Sequence, residues 1–150
     1  MQWFPRPLAL ALILVGCGAA TDSVPAANWG PLAVDDSQEA GEALTRGTIH
    51  ITEDCVILDE DGGGELLLVW PADRTRWDPS SRSITFENFD GAVNTFSDGN
   101  HLLFGGGGSS ADEGGQPSSE WVSSIEWVAA PHDACLRDVR WFVGEVNIPQ

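Results

Sequence analysis

Three Asp-Gly pairs, Asp61-Gly62, Asp90-Gly91 and Asp98-Gly99, fall between residues 61 and 99, each between short runs rich in Ile, Val, Leu or Phe. Asp-Gly accepts the positive φ angles that tight hairpin turns demand, so it is a strong short-range hairpin signal. The flanking runs have strand composition: "GTIHI" (47–51), "CVILDE" (55–60), "SITFENF" (83–89), "AVNTF" (92–96) and "HLLFG" (101–105). In "SITFENF" the residues alternate, with Ile84, Phe86 and Asn88 on one face and Thr85, Glu87 and Phe89 on the other. "ELLLVWP" (65–71) is apolar without a break until Pro71, too short for a helix and suited to a buried strand. "VRWFVGEVNI" (139–148) closes the chain, with Val139, Trp141 and Val143 on one side. Residues 46–150 are therefore expected to form an all-β domain, a small antiparallel barrel or sandwich of meander or OB-like type. A closed barrel also removes exposed sheet edges.

Two segments fit this pattern less simply. "SSEWVSSIEWVAA" (118–130) carries a helical face of Trp121, Val122, Ile125 and Val128, and equally a strand alternation of Trp121, Ser123, Ile125 and Trp127. The β character of its surroundings favours a strand. Residues 105–119 are rich in Gly and Ser and read as a mobile surface loop. The run Gly105–Gly108 invites comparison with a phosphate-binding loop, but that motif needs a Lys, and the chain has none.

The N-terminus has a different texture. One basic side chain, Arg6, precedes the apolar run "LALALILVG" (8–16), which is about half the length a membrane-spanning helix needs. A basic start, a short apolar core and small residues at the exit make a secretory signal. The exit, Leu14-Val15-Gly16-Cys17, resembles the lipobox of bacterial lipoproteins. That resemblance implies cleavage before Cys17, a diacylglycerol on its sulfur, and anchorage to the cell membrane or outer membrane. The competing reading is ordinary cleavage after Ala20. On that resemblance residues 1–16 are expected to be a lipoprotein signal peptide, and 17–45, rich in Ala, Gly, Pro, Ser and acids, a disordered tether.

Export decides how the remaining cysteines are read. Cys55 and Cys135 would meet an oxidising compartment, where a disulfide is the default. A metal site built on His132 and Cys135 is the alternative, although it would need three or four ligands and the chain has three His in all.

The chain has 23 acidic residues against seven Arg and no Lys, and removing residues 1–16 takes away only Arg6. Such a surface repels nucleic acid, which is not an expected partner; the membrane, reached through the N-terminal lipid, is. "DEDGGGE" (59–65) offers Asp59, Asp61 and Glu65 as a weak calcium candidate, although it breaks the EF-hand pattern at its fifth and twelfth positions. No Gly-x-Ser-x-Gly elbow is present and no spacing nominates a catalytic triad, so no catalytic residue and no cofactor is assigned. Among the tryptophans, Trp70 and Trp141 sit in apolar runs and read as core. Trp77, flanked by Arg76 and Asp78, is the candidate ligand platform, with packing against the barrel end as the competing role.

Cys55 in an early strand, Val69-Trp70-Pro71, the run Phe104–Gly108 and the late Cys135 together resemble small uncharacterised β-rich bacterial lipoprotein domains. The resemblance implies a fold and a cell-envelope location and brings no activity with it. The expectation is a lipid-anchored envelope protein acting as a non-enzymatic binding or structural module. The alternatives are a small envelope hydrolase and a weak calcium-dependent binding domain.

Overall fold

The structure is a computed structural model that describes Met1 and residues 28–36, 41–110 and 115–149. Its strands are β1 (Ala33–Asp35), β2 (Ala43–Ile51), β3 (Val56–Glu60), β4 (Glu65–Pro71), β5 (Thr75–Asp78), β6 (Ser83–Glu87), β7 (Val93–Ser97), β8 (His101–Ser110), β9 (Trp127–Ala129) and β10 (Val139–Asn147). One helix, α1, covers Ser118–Ser124, and a 3-10 turn covers Asp133–Cys135.

Five strands close on themselves in the order β2-β3-β4-β10-β8 and back to β2. Every pairing in this ring is antiparallel except β4 with β10, which is parallel from Leu66↔Val139 to Val69↔Phe142. This is a Greek-key order of the OB type rather than an up-and-down meander. The three Asp-Gly pairs serve it in two ways. Asp61-Gly62 and Asp90-Gly91 turn the hairpins β3–β4 and β6–β7. Asp98-Gly99 instead carries the chain from the separate sheet β5-β6-β7 into the barrel, where Gly99 N donates to Ile49 O and Ile51 N donates to Asp98 Oδ1.

The alternation in "SITFENF" places Ile84 and Phe86 in the core, and Phe96 joins them from β7. They meet the barrel interior at Trp70, whose ring lies 5.9 Å from both Phe86 and Phe96 and 6.2 Å from Phe104. Trp141 is also core, as its apolar run implies. The unbroken apolar run of β4 has a simple cause: both its faces are covered. Leu66, Leu68 and Trp70 point into the barrel, and Leu67 and Val69 form a second cluster outside it with Ala33, Ile57, Trp121 and the cysteines.

Three boundaries differ from the sequence reading. The span 17–45 is not a tether throughout. Leu32, Ala33 and Val34 are buried, and β1 pairs in parallel with residues 69–71 of β4, the part beyond its last partner in β3. A three-residue strand is too short to show a period. The loop expected over 105–119 begins instead as strand, since β8 runs to Ser110 and pairs Gly105–Ser110 with β10. Glycine is required there by what lies across it. A Cβ on Gly106 would sit 2.1 Å from Phe142 O, and one on Gly108 would sit 3.0 Å from Trp141 Cε3. Finally, residues 118–130 are not one strand. Helix α1 and then β9 divide them, which is why both periodicities were visible. Trp121 and Trp127, one from each, pack edge to face at 5.3 Å.

Candidate functional site

Cys55 and Cys135 form a disulfide across 80 residues, joining the start of β3 to the turn before β10. This removes the metal alternative built on Cys135. His132 Nδ1 instead accepts from Ala134 N and caps the turn. Cys17 lies outside the described residues.

The three calcium candidates are not grouped into one site. Asp61 binds His101 Nε2, at 2.9 and 3.1 Å to its two oxygens, and Arg46 lies 3.9 Å away. Glu65 Oε2 accepts from Arg137 Nε at 2.6 Å. Asp59 stands opposite Glu65 across the hairpin. Among the described residues, no three His, Cys, Asp or Glu side chains are grouped to hold a metal ion.

Trp77 packs against the core, and the backbone of Gly30 lies over its indole edge: a Cβ on Gly30 would be 2.3 Å from Nε1. The ring holds the segment leading into β1 and is half-buried there. Its observed role is packing.

OB barrels commonly bind oligonucleotides or oligosaccharides on the face of their second and third strands. Here those strands are β3 and β4, and that face is occupied by the chain itself. Ile57, Leu67 and Val69 lie beneath Trp121, with Val122, Ile125, Trp127 and Leu136 around them. Arg140 supports this cover from the side. Its guanidinium lies 4.5 Å over the Trp121 ring and donates to Ser109 Oγ and Gln116 O, and burial lowers its pKa.

A groove of about 420 Å³ opens elsewhere, over the glycine strand. Gly105, Gly106 and Gly144 line it, with Gly41–Leu44 to one side and Phe89 and Glu145 to the other. The glycines arise from local geometry. β10 shifts register between Val143 and Glu145, a bulge centred on Gly144, and the Glu145 side chain lies across Gly105. The bulge is pinned from β5-β6-β7. Asn88 Nδ2 donates to Val146 O while Val146 N donates to Asn88 Oδ1, and Asn94 Nδ2 donates to the same carbonyl. Arg74 Nη1 donates to Gly144 O at 2.7 Å and to Glu87 O at 3.3 Å. Its guanidinium stacks 3.9 Å from the Phe89 ring and 5.0 Å from Phe86. Burial lowers the Arg74 pKa, while Asp73, Glu145 and Glu87 act to raise it.

None of the groove residues Glu42, Leu44, Phe89, Gly144 and Glu145 was singled out as a site from sequence. Two signals were present. Phe89 is a large apolar residue on the polar side of an alternating strand, and a glycine inside a strand marks a bulge. No protein-family model, curated protein or solved structure matches this chain. The groove therefore has to be interpreted from its own chemistry.

Proposed function

We propose that this chain is an exported lipoprotein, held by a lipid on Cys17 to the bacterial cell membrane or outer membrane, whose barrel is a non-enzymatic binding module of the envelope. The observation that carries the reading is the Cys55–Cys135 bridge. It suits an oxidising compartment and uses two of the three cysteines, leaving Cys17 as the odd one at the end of Leu14-Val15-Gly16. Each buried methylene of an acyl chain contributes about 0.8 kcal/mol, so two chains give stable attachment where one gives marginal binding.

Binding is favoured over catalysis because each of the three histidines has a structural partner. His101 is bound to Asp61, His132 caps a turn, and His50 faces Asp98 at 3.9 Å. The groove over the glycine strand, by contrast, has the size of a small-ligand site.

Fractionation tests the anchor. Cys17→Ser is expected to move the protein from the membrane to the soluble fraction, and unchanged membrane retention would overturn the lipid anchor. A thermal-shift panel of calcium, zinc, cell-wall glycans, anions and amines tests the binding module. A ligand at 100 times its Kd adds about 2.7 kcal/mol, a shift of several degrees. A protein unmoved by every member would be a structural component instead.

A further inference from the structure

We infer that the groove over Gly105, Gly106 and Gly144 binds an organic cation, an ammonium or guanidinium carried on a methylene stem. The inference rests on reading the barrel as a binding module and supplies its ligand class.

Among the described residues, the charged side chains lining the groove are Glu42 and Glu145, both exposed. Ionised carboxylates only accept hydrogen bonds, so they complement a ligand rich in donors. Neither is in a salt bridge among the described residues. The nearby donor, Arg74, is directed onto Gly144 O and Glu87 O rather than into the groove. A neutral sugar would leave the two carboxylate charges uncompensated. An anion would meet like charge at the groove and on a chain of formal charge −16.

The apolar part of the groove supplies the rest. Leu44 and Phe89, 70% and 61% exposed, both line the groove. They stand on its two sides, so a methylene stem can lie between them. Phe89 already stacks against one guanidinium, that of Arg74 at 3.9 Å, so its ring demonstrates the contact a second cation would make on its exposed surface. The charge of Arg74 is offset locally by Asp73 and Glu87, which do not line the groove among the described residues.

The test is calorimetric titration of the full-length protein with cadaverine, with the tripeptide Lys-Gly-Lys and with uncharged 1,5-pentanediol. Both amines are expected to bind and the diol is not. Tighter binding of the tripeptide would assign the cation to a partner protein's side chain, and tighter binding of cadaverine to a free amine; either upholds the inference. Glu42→Gln combined with Glu145→Gln should weaken binding by about tenfold, the sum of two exposed ion pairs. Phe89→Ala should weaken it by about threefold. Glu53→Gln combined with Glu126→Gln removes the same charge away from the groove and should change affinity by less than about twofold. Unchanged melting temperatures would show that the variants are folded. Equal losses in the two charge pairs would reduce the effect to bulk attraction and overturn the site, as would absence of binding by both amines. A shift with a glycan or an anion, and none with amines, would overturn the cation and leave the binding module standing.

Discussion

The two faces of β4 are both buried, yet they are held by different means. Inside the barrel, Leu66, Leu68 and Trp70 belong to a cluster fed by every strand of the ring and by the sheet β5-β6-β7. Outside, Leu67 and Val69 belong to a smaller cluster whose cover is one seven-residue helix, a short strand and a 3-10 turn. A helix of that length is marginal without tertiary support, and α1 has no side-chain hydrogen bond at its N-cap. The outer cluster contains the disulfide and the inner one does not. Where apolar area is plentiful, packing suffices; where it is scarce, the chain uses a covalent tie. The outer cover also fills the face that OB barrels commonly use for ligands, so in this chain that face is closed.

The largest effect should come from removing that tie. A bridge across 80 residues stabilises by about 4–5 kcal/mol in the chain-entropy model. The double variant Cys55→Ala, Cys135→Ala should lose about that much in denaturant unfolding, read against the oxidised protein. Hydrogen exchange sharpens the comparison. Amides of α1 and the 3-10 turn should lose protection before those of β2 and β3. Simultaneous loss would make the two faces one cooperative unit and break the distinction.

The inner face should respond differently. Trp70 is fully buried and contacts three phenylalanines, so Trp70→Ala should cost about 3–5 kcal/mol. Because β4 carries both clusters, this loss should reach α1 as well. Protection that fell in the barrel and survived in α1 would show that the outer cover is stable by itself, contrary to the argument above.

Much of this fold was legible locally. The strands around the Asp-Gly pairs, the inward set Ile84, Phe86 and Asn88, the core placement of Trp70 and Trp141 and the pairing of Cys55 with Cys135 all follow from patterns a few residues long or from cysteine chemistry. What was not legible is pairing at a distance. The parallel contact of β4 with β10 joins residues more than 70 positions apart, and β1 exists because β4 extends beyond its last partner in β3. The groove has the same origin. Its residues come from the segment leading into β2, β2 itself, the turn after β6, β8 and β10, and no single stretch announces it. The glycine run misled for a related reason: composition records that side chains are missing, and only the partner strand shows why.

The two glycine runs convert that point into the smallest effects expected here. Gly105–Gly108 is packed: a Cβ on Gly106 would meet Phe142 O at 2.1 Å and Trp141 Nε1 at 2.8 Å. Neither the carbonyl nor the buried ring can yield without a shift of β10, so Gly106→Ala should cost about 1–3 kcal/mol, as overpacking does. Gly62–Gly64 sits at the tip of the β3–β4 hairpin, and a Cβ on Gly62 would meet nothing within 4 Å. Its φ is not in the left-handed region, unlike Gly63 and Gly64. Gly62→Ala should therefore stabilise the protein by about 0.4–1 kcal/mol, through lower entropy of the unfolded chain. Thermal melts of the two variants should move in opposite directions. A neutral Gly106→Ala would mean that the strand β8 is loosely seated on β10, and the floor of the groove would then lack the rigidity that a cation site built on Glu145 requires.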